Sequence, residues 1–91
     1  MEFPFNEPEN TAVFTCSHVM EKGEDICYVT HDEDDGAWQF LCDRKHPDIS
    51  EARLVALREI WELDATVGEL ATMACGCRAS RKNRRAKWQI R

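Results

Sequence analysis

The sequence lacks the features of a membrane-bound or exported protein. No apolar run approaches the roughly 18 residues that a membrane-spanning helix needs. The stretch 1–9 is acidic and contains two prolines, whereas an export signal starts with basic residues and has an apolar centre. We therefore expect a cytoplasmic protein that does not associate with a membrane. We also expect its five cysteines to be free thiols, because disulfides are rare in that compartment.

The sequence also lacks a Cys-x-x-Cys pair, the spacing that most often marks a zinc site. Its thiols and imidazoles instead form the pairs Cys16/His18, Cys27/His31, Cys42/His46 and Cys75/Cys77. On a strand, residues two or four apart share a face, so some of these pairs could present two ligands together. Mixed pairs nevertheless favour small buried thiols, and we predict no metal and no other cofactor. The alternative is a structural metal held by donors from the set Cys16, His18, Cys27, His31 and Cys42.

No group of residues has the pattern of a catalytic centre. Cys16 and His18 would share a strand face, but no third group is placed to orient the histidine as a base. The acidic stretch Asp32–Gly36 does not match a calcium-binding EF-hand loop, because its glycine is fifth rather than sixth. We therefore predict that the protein is not an enzyme. The carboxylates of Asp32, Asp34 and Asp35 are expected in a solvated hairpin loop that could contact another protein.

Composition indicates one globular domain with an uneven distribution of charge. The chain has 91 residues, of which 43% are hydrophobic and 32% are charged, which is too apolar for a disordered protein. All 17 acidic residues lie in 1–70, whereas seven of the 12 Lys and Arg fall in 78–91. Residues 1–77 therefore carry −12 and residues 78–91 carry +7. Such an asymmetry indicates either a polyanionic partner for the basic segment or a segment that lies on its own acidic body.

The strongest structural pattern is a β-hairpin over 26–42. Apolar and polar residues alternate in 26–31 and again in 37–42, and the polar loop between them ends in Gly36. A further strand is expected over 12–18, with a turn at Gly23 leading into the hairpin. The sequence therefore predicts an α+β fold. Its three- or four-stranded antiparallel meander should be covered on one face by one or two helices.

Two later segments complete this prediction. The apolar residues Ile49, Ala52, Ala56, Leu57, Ile60 and Trp61 fit one face of a helix that begins near Ser50. The run Arg53–Leu57 fits a fourth strand equally well, and periodicity does not decide between them. Thr66 with Glu69 has the spacing of a capping box, which predicts a short helix to about residue 71.

These elements predict three parts: a flexible acidic arm over 1–10, an α+β domain over 11–77 and a basic extension over 78–91. The extension contains Arg81, Arg84, Arg85 and Trp88, which could contact phosphates and stack on bases. Because the body is strongly acidic, we expect the extension to dock on it, with Trp88 and Ile90 as apolar anchors. Nucleic-acid binding through the extension is the alternative.

Several short motifs resemble a small bacterial family of unknown function that is related to the immunity proteins of polymorphic toxin systems. The similarity covers about residues 12–88. The positions that carry it are Cys16-x-His18-Val19, Ile26, Val29, Asp35-Gly-x-Trp38-Gln-Phe-Leu-Cys42, Leu63-Asp64-x-Thr66-Val67-x-Glu69-Leu70, Gly76, Ala79, Arg81 and Trp88. The resemblance implies a non-enzymatic protein that binds another protein, such as a toxin, through surface complementarity. The dense basic stretch 81–87 departs from the family pattern.

Overall fold

Six strands and three short helices make up the part of the chain that the structure, a computed structural model, describes: residues 2–42 and 52–91. The strands are β1 (Ala12–Cys16), β2 (Tyr28–His31), β3 (Trp38–Leu41), β4 (Ala52–Ala56), β5 (Arg78–Ser80) and β6 (Gln89–Ile90). The helices are α1 (Ser17–Lys22), α2 (Leu57–Leu63) and a 3₁₀ helix (Ala65–Leu70). None of the helices in these two ranges is both long enough and apolar enough to cross a membrane.

The α+β class is confirmed, but the sheet is larger than predicted and is mixed. Its strand order is β4-β1-β3-β2-β5-β6. β1 runs parallel to β3 and antiparallel to β4, and the remaining neighbours are antiparallel. The predicted meander is wrong because β1 does not pair with β2. The predicted strand 12–18 ends at Cys16, and the chain turns through α1 before β2 joins the far side of β3.

The hairpin of β2 and β3 has the predicted position. Val29 pairs with Phe40, and His31 pairs with Trp38. Its loop is closed by a 2.8 Å hydrogen bond from the Asp32 amide to the Ala37 carbonyl. Gly36 has φ of +72°, a conformation that costs glycine little and other residues more.

The core lies on one face of the sheet, against α2 and the 3₁₀ helix. Trp38, Phe40 and Trp61, the largest apolar side chains of the hairpin and α2, are buried. The arm over residues 1–10 contributes to this core, because Phe5 is buried with its ring edge-on to Trp38, at a centroid distance of 5.4 Å. A Cβ added to Gly68 would lie 2.9 Å from Pro4 Cγ, so the glycine allows the arm to pass closely over the 3₁₀ helix.

The segment around Arg53–Leu57, whose spacing fits either a strand or a helix, contains parts of both. Residues 52–56 form β4, and α2 begins at Leu57, so Ala52 and Ala56 do not lie on a helical face as the longer helix required. Leu57, Ile60 and Trp61 are buried on one side of α2, as predicted. Ile49 and the predicted helix start at Ser50 lie outside the described residues. The 3₁₀ helix is capped by Asp64 rather than Thr66, since Asp64 Oδ1 accepts a 3.0 Å hydrogen bond from the Thr66 amide.

Candidate functional site

The sheet has a second face that carries exposed apolar side chains. Residues paired across neighbouring strands share a face, which places Phe14 beside Leu54 of β4 and beside Gln39 of β3. Phe14 is 46% exposed and Leu54 is 63% exposed. The same register continues the surface through Thr30 of β2 to Arg78 of β5. We call the surface formed by Phe14, Tyr28, Thr30, Gln39, Leu54 and Arg78 the open face.

An acidic loop borders the open face at the end of the hairpin. Residues 32–35 line a cleft of about 410 Å³ together with Tyr28, Thr30, His31 and residues 76–78. Asp32 Oδ2 accepts a 2.9 Å hydrogen bond from Gln39 Nε2, which draws the loop toward the open face. Asp35 Oδ1 accepts from the Ala37 amide and shapes the turn, while Asp34 is exposed. The structure thus brings Asp32, Asp34 and Asp35 together as one acidic rim.

Arg81 of the basic extension lies at the centre of a buried polar cluster. Its side chain is 1% exposed, and Nη2 donates a 2.7 Å hydrogen bond to Oδ2 of Asp64, which is 2% exposed. Arg81 Nε donates to the Ile26 carbonyl at 2.9 Å, and Nη1 donates to Thr66 Oγ1 at 2.9 Å. The Trp88 ring covers the guanidinium at 3.9 Å, a cation–π contact. Arg81 therefore ties β5 to the 3₁₀ helix.

The other basic residues proposed for binding, Arg84 and Arg85, are exposed. The Nε atom of Arg84 lies 3.8 Å from Asp25 Oδ1 and 3.4 Å from Asp64 Oδ2. The backbone amide of Arg84 donates a hydrogen bond to Asp25 Oδ2. The Arg85 amide donates to Asn83 Oδ1. Arg84 and Arg85 line a groove with Asp25 and Asn83, whereas Arg81 and Trp88 contact each other within the fold. The sequence-predicted binding residues therefore do not form a single site.

The buried cluster holds the pKa of the Asp64 carboxyl below its ordinary value. Burial raises this pKa, but hydrogen bonds from the Thr66 side chain and amide, the hydrogen bond from Arg81 and the charge of Arg81 together lower it by more. A carboxyl with a lowered pKa in the folded state stabilises the fold above its unfolded pKa of about 3.9. This stabilisation is lost as the pH falls through the folded value.

We predict that replacing Asp64 with Asn removes an acid-dependent part of the stability. The free energy of unfolding, measured in urea from pH 7 to pH 3, should be higher for the wild type than for Asp64→Asn at neutral pH. The gap should narrow as the pH falls below the unfolded pKa of about 3.9 and toward the lower pKa that Asp64 has in the folded state. The matched control Asp34→Asn removes an exposed carboxylate of the hairpin loop. A gap between the wild type and Asp64→Asn that stays constant with pH would contradict the prediction.

The structure groups three of the five residues proposed as metal ligands. Cys16, His18 and Cys42 lie together, with their donor atoms all within 4.8 Å of one another. The Cys27 sulfur instead lies 3.6 Å from the Lys82 carbonyl, and His31 is at the opposite end of β2. His46, the sequence partner of Cys42, lies outside the described residues.

A second thiol–imidazole pair, formed by Cys75 and His31, is not evident from the sequence. His31 Nδ1 lies 2.8 Å from the Met73 carbonyl, which can only accept, so Nδ1 carries the hydrogen. In the neutral ring Nε2 is then the acceptor, and it lies 3.5 Å from the exposed Cys75 thiol. The Trp38 ring stacks on His31 with a centroid distance of 3.9 Å.

A thiol beside an imidazole that a carbonyl holds in orientation is an arrangement that proteins also use around nucleophilic cysteines. Forty-four positions separate the two residues. The Cys75-Gly-Cys77 turn reaches His31 through backbone hydrogen bonds, from the Gly76 amide to the His31 carbonyl and from the His31 amide to the Cys77 carbonyl. Only this tertiary pairing reveals the contact.

Comparisons of the chain with protein-family models, with curated proteins and with solved structures found no match. Among the residues that carry the family resemblance, Asp64, Thr66, Arg81 and Trp88 contact one another in the buried cluster.

Proposed function

We propose that this chain is a non-enzymatic binding protein of the immunity type, which acts in the cytoplasm by covering a partner protein with its open face and acidic rim. The observation that supports this proposal is the pairing of two exposed apolar side chains, Phe14 and Leu54, on the open face. Scattered exposed apolar residues are normal on a protein surface. A cross-strand pair on a sheet face is a contiguous patch, and contiguous patches are typical of interaction surfaces.

The acidic rim indicates the chemistry of the partner. Residues 32–35 are all carboxylates, and they border the surface that carries Phe14 and Leu54. A partner that presents basic side chains beside an apolar patch would complement both features. Opposite charges at such an interface speed encounter and set specificity, while the apolar centre supplies most of the affinity.

The test uses the product of the gene adjacent to that of this chain as the probe. Its expression in a bacterial host should slow growth, co-expression of this chain should restore growth, and the two purified proteins should form a complex. The double variant Phe14→Ser/Leu54→Ser should weaken the complex at least about tenfold, a loss of about 1.4 kcal/mol. Asp34→Lys should mainly lower the association rate, and this effect should diminish at high salt.

A matched control is Leu63→Ser, which removes an apolar side chain that is also exposed but belongs to α2 rather than the sheet. This variant should bind as the wild type does. Equal loss of affinity in the control and in the open-face variant would contradict the proposed surface. Strongly salt-dependent binding to duplex DNA or single-stranded RNA, with no affinity for the adjacent gene product, would instead favour the nucleic-acid alternative.

A further inference from the structure

The strand order brings two cysteines to neighbouring positions at the carboxyl ends of two adjacent interior strands. Cys16 is the last residue of β1, and Cys42 directly follows the last residue of β3. β1 and β3 are adjacent and parallel, with Thr15 opposite Phe40, so their carboxyl ends coincide. His18 lies in the first turn of α1, which starts immediately after Cys16. The end of one strand, the start of one helix and the end of a second strand thus converge.

The distances among these side chains match the size of a tetrahedral zinc site. The Cys16 and Cys42 sulfurs lie 3.6 Å apart. Two thiolates at about 2.3 Å from a tetrahedral zinc are separated by about 3.8 Å, and a thiolate and an imidazole nitrogen by about 3.6 Å. All three donor atoms lie within 4.8 Å of one another, so a shift of about 1 Å or less in each would complete the geometry.

The types of donor favour zinc over other divalent ions. Thiolate and imidazole ligands select zinc, whereas magnesium and calcium prefer carboxylate and carbonyl oxygens. Both cysteines are buried, at 1% and 3% exposure, while His18 is partly accessible.

The sequence alone predicts no metal, but from the grouping of these donor atoms we propose that Cys16, His18 and Cys42 bind one Zn²⁺ ion, with a water molecule or a further donor in the fourth position. Binding would release one proton from each thiol and would use His18 as a neutral ligand. The ion would cross-link α1 and the end of β1 to the end of β3. This proposal rests on donor geometry alone and is independent of the proposed function.

The first measurement is the metal content of protein purified without chelator and passed through gel filtration. Elemental analysis should find one zinc per chain, and X-ray absorption should show two sulfurs at about 2.3 Å from the metal. Protein stripped by a chelator should take up Co²⁺, with a thiolate-to-cobalt charge-transfer band and the visible absorption of a tetrahedral site. The melting temperature of the zinc-loaded protein should fall when EDTA is added.

The variants Cys16→Ser, His18→Gln and Cys42→Ser should each lower the zinc content and weaken the cobalt spectrum. The matched control is Cys27→Ser, which alters a buried thiol outside the donor group and should retain one zinc per chain. Circular dichroism verifies the folding of each variant. X-ray absorption of the wild-type protein tests the site even if a variant fails to fold.

Three results would overturn the proposal. Substoichiometric zinc that gel filtration removes would show an adventitious ion only. A metal shell without sulfur would place the ion elsewhere on the chain. A Cys16–Cys42 disulfide in protein purified under reducing conditions would show that the two thiols pair with each other rather than with a metal.

Discussion

Replacing Arg81 with Met should lower the free energy of unfolding by about 3–5 kcal/mol, because it leaves the Asp64 carboxylate buried without its buried cationic partner. The substitution also removes the donors to the Ile26 carbonyl and the Thr66 hydroxyl. A domain of this size is stable by only about 5–15 kcal/mol, so the variant should be near the limit of folding. Urea denaturation followed by circular dichroism measures the effect.

A double-mutant cycle separates the ion pair from the rest of the cluster. Arg81→Met/Asp64→Asn should be more stable than the sum of the two single losses predicts, because the double variant has no uncompensated buried charge. The coupling should reach about 1–3 kcal/mol. As a control, Arg84→Met alters an exposed arginine near the same carboxylate and should cost about 1 kcal/mol or less. Equal losses for Arg81→Met and Arg84→Met would show that the buried pair does not stabilise the fold.

Replacing Trp38 with Ala should cost about 3–5 kcal/mol, since it opens a large cavity in the centre of the core. Trp38 is 1% exposed and lies on β3, with strands on both sides. Its ring stacks on His31 and on Phe40 and meets the edge of Phe5. Its indole also donates a 2.8 Å hydrogen bond to Glu7 Oε2. The change should therefore loosen the N-terminal arm as well as the sheet.

The control for Trp38→Ala is Phe14→Ala, which removes an aromatic side chain from the open face of the same sheet. Phe14 is about half exposed, so the loss should stay below about 1.5 kcal/mol. Near-native thermal stability of Trp38→Ala, measured by circular dichroism, would contradict the assignment of the core. A loss for Phe14→Ala as large as that for Trp38→Ala would show that the open face is covered within the chain itself.

The sequence predicts the fold correctly where the determining interactions are local. The hairpin follows from alternating residues on either side of one polar loop, and the buried face of α2 follows from helical spacing in residues 57–61. The prediction was wrong at Ser17 and His18, where the strand over 12–18 was expected to continue and α1 begins instead. The run Ser17–Met20 fits a strand or a helical turn equally well, and tertiary packing of Val19 in the core decides between them.

The candidate sites show the same division. Asp32, Asp34 and Asp35 could be grouped from sequence because one loop carries them. The role of Arg81 could not, because its partners are Asp64, Thr66, Ile26 and Trp88, which come from three separate parts of the chain. A basic residue in a basic segment resembles a surface residue until its buried partner is known.

The sequence by itself determined the α+β class, the hairpin, the large residues of the core and the separation of acidic and basic charge, since each depends on neighbours in the chain or on composition. Only the tertiary structure decided the strand order. In a meander, β2 would separate β1 from β3, and Cys16 would lie about 10 Å from Cys42, twice the spacing of adjacent strands. Because β3 instead lies directly beside β1, the two sulfurs are 3.6 Å apart and His18 joins them.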